Sequence, residues 1–379
     1  MIDIVKRVKL SKLFIEVHIA DLHFGAMNPE NQYKILKEQF LSVIEEMNKV
    51  DIVSINGDIF DHKFMANSDA IMYACYFIDA LVRICQAKNA TLLIISGTFE
   101  HDSDQLKMFY PYCNLDSGVD VRIIEQVQFE YIKGKRILII PELYGKGEEY
   151  YSKFLYNSGL YDACYMHGTF AGTIFGKDEP SLDSPREPVF SMEHFINCLG
   201  PIISGHNHTP GCHNVYFYYC GCPYRWKFGE EEDKGFIILL HNIETREHMI
   251  HFEPIKSFRY DTVNLDEMLT GDPKKIIEYL DNLQKNGVDH VRVQFTINKD
   301  DVISILRNYY RTSSSVKIDT NFKNDKVKED IKNLDIKYKE YSYLMDKCDP
   351  ETKLANYMNQ KEGHVFMSAQ ELKEFLQKL

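Results

Sequence analysis

The chain has 379 residues, a net charge of −12 and a hydrophobic fraction of 44%. This length makes two domains the natural expectation and provides a sizeable core, while the acidic balance excludes the uniformly basic surface that binds nucleic acid unaided. A local basic patch, or a partner that holds the nucleic acid, stays compatible with it, because charges more than ~10 Å apart are screened.

The opening stretch MIDIVKRVKLSKLF carries basic residues but neither the apolar segment nor the small-residue cleavage site of a leader. No apolar run reaches the ~20 residues of a bilayer span. Nine cysteines, an odd number, lie scattered among strand-like and helix-like stretches, which fits a reducing compartment. The expectation is a soluble, cytoplasmic protein with no membrane association. The grouping of Cys212, His213, Cys220 and Cys222 lacks the paired spacing of zinc sites and is read as structural.

From residue 12 to about 260, short apolar runs alternate with helical periodicity. Leu13–Ala20, Val50–Asn56, Thr91–Ser96, Arg136–Pro141, Asp162–His167 and Pro201–Gly205 read as buried strands, and Gln32–Asn48 and Asp69–Ala87 as helices between them. Beyond a boundary near Ser257–Asp261 the pattern changes. Pro273–Gln284, Val302–Tyr310 and Lys326–Leu334 read as helices, while Val291, Val293, Phe295 and Ile297 alternate as one strand face and Val316–Ile318 as a short strand. The domains expected are therefore 1–260 and a smaller α/β domain over 261–379. There is no internal repeat and no low-complexity tract.

Most of the chemically informative residues stand just after a strand ends, where ligand sites of α/β folds gather. Asp21-Leu22-His23-Phe24-Gly25 follows the first strand, Gly57-Asp58-Ile59-Phe60-Asp61-His62 the second, and Gly97-Thr98-Phe99-Glu100-His101-Asp102 the third. Met166-His167-Gly168 and Gly205-His206-Asn207-His208 close the series. Taken singly, each is an ordinary turn. Five strand ends in succession that all carry Asp, Glu or His have little structural justification, and mixed imidazole and carboxylate donors suit Mn, Fe or Zn better than Ca or Mg. Two metals follow from the number of donors.

The order D-x-H, G-D-x-x-D, G-x-x-x-H-D, H-G, G-H-x-H resembles that of the calcineurin-like metallophosphoesterases. Three stretches, Asp21–Gly25, ILIIPE at Ile137–Glu142 and CGCPYRWKFGEEEDKGF at Cys220–Phe236, are similar to the nuclease subunit of bacterial SbcCD complexes and its phage relatives. The resemblance covers residues 12–260; beyond that it is one of layout. It implies a four-layer α/β sandwich, two mixed β-sheets flanked by helices, with a small C-terminal α/β cap. It also implies a manganese-dependent nuclease acting on DNA in repair, recombination or replication, as a homodimer and with an SbcC-like ATPase.

By the same resemblance, Asp21, His23 and His208 would hold one metal, Asp58 would bridge, and His167 and His206 would hold the other. His101 would be the imidazole beside the scissile phosphate, oriented by Asp102 unless Asp102 is a solvated turn residue. The family's third motif supplies an Asn ligand that is absent here; Glu100 is the first candidate to replace it and Thr98 the second. Two such ions polarise phosphate oxygens and activate water, and an imidazole can protonate the leaving oxygen.

The rival readings are a protein phosphatase, a small-nucleotide phosphodiesterase and an inactive scaffold of the same fold. The Arg-Gly that protein phosphatases place after the second motif is missing, since His62 and Lys63 follow Asp61. Asp61, His62 and the stretch Arg225-Trp226-Lys227 are candidate substrate contacts, the latter able to track a backbone and stack a base. The loop Thr169–Val189 also lies between two ligand motifs. For dimerisation, the residues offered are Ile71, Ala74, Cys75, Phe77, Ile78, Leu81, Val82 and Cys85. At the C-terminus, Ser368-Ala369-Gln370-Glu371 reads as a capping box ahead of a stripe of Leu372, Phe375, Leu376 and Leu379. So short a helix must dock, on its own domain or in a groove of the ATPase.

Overall fold

The computed structural model describes residues 13–320 except 115–117, 173–186, 213–215, 231, 243–244, 246, 266–271, 296–299 and 314. Two compact units divide the chain: Met1–Thr262 with Asp281–Val291, and Val263–Leu280 with Arg292–Leu379.

The first unit is built on two six-stranded mixed sheets. One has the order β14-β13-β1-β2-β3-β4, with β1 Leu13–Ile19, β2 Ile52–Asn56, β3 Thr91–Ile95, β4 Asp120–Ile124, β13 Lys234–Asn242 and β14 His248–Ile255. The other runs β11-β12-β10-β7-β6-β5, with β5 Gln128–Ile132, β6 Lys135–Ile140, β7 Ala163–His167, β10 Ile202–Gly205, β11 Gly211–Cys212 and β12 Phe217–Tyr219. β1, β2, β3 and β4 pair in parallel, as do β6, β7, β10 and β12. β13 closes antiparallel on β1, and β5 on β6.

Three apolar layers hold the sheets and helices together. β1 shows how the sequence makes them, because its side chains alternate between faces with period two. Leu13, Ile15, Val17 and Ile19 pack with Phe40, Phe77 and Leu81 of the helices on the outer face. Phe14 and Ala20 point the other way and join Ile139, Tyr165 and Ile203 of the second sheet. On the far face of that sheet, Leu138, Cys164 and Ile202 pack against Tyr151 and Leu155 of the helix Glu148–Leu155. The result is two mixed sheets face to face, flanked by helices.

The inter-sheet layer also contains a buried ion pair. Glu16 takes the ammonium of Lys135 and the hydroxyl of Tyr165, with His18 Nε2 at 3.5 Å. Burial alone would raise the Glu16 carboxyl, but Lys135 and His18 hold it down at about 2. The sequence shows a glutamate within the buried strand β1 but not the partners, Lys135 and Tyr165, that the second sheet brings to it.

Among the described residues, the helix Asp69–Lys88 is the one long and apolar enough to cross a membrane, which the reading of apolar runs did not find. It is a packing helix: Ala70, Ala74, Phe77, Ile78, Leu81, Val82, Ile84 and Cys85 are buried. The face offered for dimerisation is therefore largely core, whereas Met72 and Tyr76 face outward. Ser68 caps the helix by accepting from Ala70 N–H, and Asn89 ends it in the left-handed conformation.

Toward the C-terminal end of the described residues a three-stranded sheet, β15-β16-β17, is formed by Tyr260–Asn264, His290–Phe295 and Val316–Thr320. Helices span Pro273–Lys285 and Asp300–Tyr309. Val291, Val293 and Phe295 are buried alternately, as their spacing predicts. Cys348, the helix expected over Lys326–Leu334 and the C-terminal stripe lie outside the described residues.

Candidate metal centre

Six parallel strands, three from each sheet, end at one place. β1 delivers Asp21 and His23, β2 Asp58, β3 Thr98 and His101, β6 Glu142, β7 His167, and β10 His206 and His208. Asp21, His23, Asp58 and His206 have φ of 52°, 43°, 54° and 84°. Non-glycine residues rarely adopt this left-handed backbone, and four together mark a site whose surroundings impose it.

Glycines give the ligand side chains room. A Cβ on Gly57 would lie 2.1 Å from His167 Nδ1, and one on Gly97 would lie 2.2 Å from Asp58 Oδ1. The turns are also held from behind. Gln32, on the helix Pro29–Leu36, donates from Nε2 to the carbonyls of Leu22 (3.3 Å) and His23 (2.8 Å) and accepts from Gly25 N–H at 2.8 Å.

Asp102 holds the neighbouring turn. Its buried carboxylate accepts from the N–H groups of Gly97 (2.8 Å), Ile59 (2.9 Å), Asp58 (3.0 Å) and Phe60 (3.4 Å). This corrects both expectations for Asp102: it is not solvated, and its partners are backbone amides, not His101. His101 instead sets its Nδ1 against the Asp61 carbonyl, and its ring meets that of His23 edge-on at 4.8 Å.

The donor atoms converge in two adjoining groups. In the first, Asp21, His23 and His208 bring their ligand atoms within 4.8 Å of one another, with the two Nε2 atoms 3.0 Å apart. In the second, Glu142, His167 and His206 do the same, with Glu142 Oε2 at 3.1 Å from His206 Nδ1 and 3.5 Å from His167 Nε2. Asp58 stands between them: its Oδ2 is 3.3 Å from His167 Nε2 and 3.8 Å from His23 Nε2. His167 donates Nδ1–H to the Asn56 carbonyl at 2.7 Å, which leaves Nε2 as the atom facing the centre.

The electrostatics fit divalent cations. Burial lowers His23 to about 4, and burial with the neighbouring His23 lowers His208 to about 2, so both stay neutral and able to donate lone pairs. Burial, then the Asp58 charge, pushes Asp21 up to about 7. Against the opposing effect of burial, Asp58 holds His167 well above the usual imidazole range, and Glu142 raises His206. Asp21 Oδ2 and Glu142 Oε1 are buried without a hydrogen-bond partner. Buried polar atoms seldom stay unsatisfied, and lone pairs directed at one space are what a metal would use.

Glu100 does not belong to either group. It is exposed and interacts with Tyr144, while Thr98 and Glu142 occupy the position expected of it. Thr98 donates Oγ1–H to Asp58 Oδ2 at 3.2 Å and its N–H to Oδ1 at 2.6 Å. Glu142 was missed because it follows a strand as a lone Pro-Glu, without a neighbouring His or Gly to single it out.

The substrate candidates also separate. Trp226 stacks on His23 at 4.9 Å with 17° between planes and leans on His208 at 5.5 Å. Lys227 is exposed, 5.4 Å from that indole ring. Arg225 turns its guanidinium to the Glu232 carbonyl, at 2.8 and 3.1 Å. Asp61 backs His23 at 3.8 Å and pairs with the exposed His62 at 2.9 Å. In the loop Thr169–Val189, residues 173–186 lie outside the described residues. Cys222, His208 and Glu230 form a further cluster, yet Lys234 Nζ stands 3.6 Å from Glu230 Oε1 and already supplies the positive charge.

No protein-family model matches the chain. One solved chain is 13% identical, with 64% of this chain and 99% of the other covered at a TM-score of 0.38, a superposition too loose to argue from. The chain is 24% identical over 233 residues, 59% of its own length and 75% of the other's, to a protein named "Putative phosphoesterase 244L" from Invertebrate iridescent virus 6.

Proposed function

We propose that this protein is a manganese-dependent DNA nuclease that hydrolyses phosphodiester bonds at a two-metal centre, in the manner of an SbcD-type subunit. The observation that carries this reading is the convergence of Asp21, His23 and His208 on one side of Asp58, and of His167 and His206 on the other, with donor atoms left buried and unpartnered. The likeness to a phosphoesterase-named protein agrees with it.

Two divalent ions there would supply Lewis-acid polarisation of the phosphate and an activated water. The chain's own residues do the rest. Asp58, fixed by Thr98 and by the Asp102-held turn, sets the separation of the two donor groups. The Asp61 carbonyl holds His101 Nδ1–H, so that Nε2 is the atom placed to give a proton to the leaving oxygen. Trp226 covers His23 and His208, where it keeps bulk water from that side and offers a face on which a base can stack.

A diester is favoured over a monoester because no arginine follows Asp61, and Arg225 is turned to the Glu232 carbonyl. With saturating Mn2+, linear DNA should be cut to nucleotides while p-nitrophenyl phosphate turns over far more slowly. Faster hydrolysis of the monoester would sink the nuclease reading in favour of a phosphatase.

The reading extends to assembly. Residues 261–379 act as a cap, the chain forms a homodimer in the cytoplasm, and an SbcC-like ATPase supplies the DNA-holding surface that a net charge of −12 withholds. Deleting residues 366–379 should abolish co-purification with that ATPase while leaving cleavage of short DNA intact. Full-yield co-purification of the truncated chain would place the contact elsewhere.

A further inference from the structure

We infer that Glu142 is a metal ligand and that it makes the two pockets a matched pair, each with a carboxylate of its own besides Asp58 and with two imidazoles, Asp21 lying close enough to His167 to border both. The inference rests on the two-metal reading above and assigns a residue of that centre. Glu142 follows β6 through Pro141, and its side chain is completely buried. One oxygen, Oε2, sits 3.1 Å from His206 Nδ1, 3.5 Å from His167 Nε2 and 3.4 Å from Thr98 Oγ1. The other, Oε1, is buried with no hydrogen-bond partner.

A carboxylate removed from water needs a cation or a full set of hydrogen bonds. The ion-pair partners of Glu142 among the described residues are the imidazoles of His167 and His206, which are themselves directed at the same space. A divalent ion between the three satisfies them together.

The comparison with the first pocket gives the inference its content. There Asp21 is the corresponding carboxylate, with Oδ1 accepting from His206 N–H at 3.0 Å and Oδ2 buried and unpartnered. Asp21 and Glu142 thus play equivalent parts on the two sides of Asp58, each with one oxygen engaged and one unpartnered. A neutral amide in place of Glu142 would leave the second pocket with one charge fewer than the first. With Glu142 the charges are equal, so the two ions should bind with similar affinity.

Titration of metal-free protein with Mn2+, followed by the EPR signal of the free ion, tests this without relying on turnover. The parent should take up two ions per chain with affinities within about tenfold of each other. Glu142→Gln should keep one at the parental affinity and weaken the other by at least about tenfold, the lower end of what losing even an outer partner of a metal ligand costs. Asp21→Asn should do the same to the other ion, and the double variant should weaken both. Parental binding of both ions by folded Glu142→Gln, or a parent whose two affinities differ by far more than tenfold, would overturn the proposal.

If Glu142→Gln fails to fold, Mn2+-soaked crystals of the parent decide the same point. An anomalous peak bonded to the Glu142 carboxylate supports it, and a peak at His167 and His206 with Glu142 turned away refutes it. Two ions bound as described without DNA cleavage would refute the nuclease reading and leave this assignment standing. Mn2+-dependent cleavage with parental metal binding by Glu142→Gln would do the reverse.

Discussion

Asp58→Asn should lose DNA cleavage altogether and weaken binding of both ions, by more than the about 10–100-fold that follows from changing an outer partner of a metal ligand. Asp58 lies between the two donor groups, 3.3 Å from His167 and 3.8 Å from His23. Replacing one of its oxygens by an NH2 group removes the shared charge and turns a donor hydrogen toward the site. The amide should preserve the fold, because Asp102 holds this turn through the backbone N–H groups of Asp58 and Ile59, and the remaining side-chain oxygen can still accept from Thr98 N–H. Far-UV circular dichroism with metal analysis checks the expectation. A folded Asp58→Asn protein that keeps two tightly bound ions would mean that the metals do not share this residue.

His101→Ala should lower kcat by about 10²–10⁴-fold, the range for loss of a general acid, with both ions still bound. His101 is held by the Asp61 carbonyl, edge-on to His23; its ring also comes within ligand distance of His23 and Asp58, so metal content is the readout that separates a proton donor from a ligand. Falling metal content in His101→Ala would make it a ligand and displace the proton-transfer role. Asp102→Ala, at the very next residue, should behave quite differently. It strips the partner from three close backbone N–H groups and a longer fourth, all buried, and should cost at least about 3 kcal/mol of stability before any effect on chemistry. Thermal melts of the two variants side by side separate the roles: His101→Ala should melt near the parent, and Asp102→Ala well below it.

Those two neighbours show how far the sequence could be read. The strands before each motif were legible because apolar runs at period two or continuous runs bounded by glycine leave few alternatives, and β1, β2, β3, β7 and β10 begin and end within about two residues of the expected limits. Where a side chain points after the strand ends was not legible. Glu100 and Glu142 are equally plausible carboxylates in one dimension. Only the fold leaves Glu100 exposed and brings Glu142, just after a strand of the opposite sheet, against His167 and His206, with Tyr144 reaching both carboxylates. Asp102 was misread for a related reason: its partners are main-chain N–H groups, which carry no sequence signature. The apolar stripe of Asp69–Lys88 was correctly read as a stripe, yet periodicity alone cannot say that its partner is the adjacent sheet and not a second chain.

The measurement that bears most directly on the two-metal account is cleavage of linear DNA by the isolated chain as Mn2+ is returned to metal-free protein one equivalent at a time. The account predicts no nucleotide release without metal, little at one equivalent per chain, and full activity only as the second is added. Undiminished cleavage by metal-free protein, or activity that saturates at a single equivalent, would contradict it.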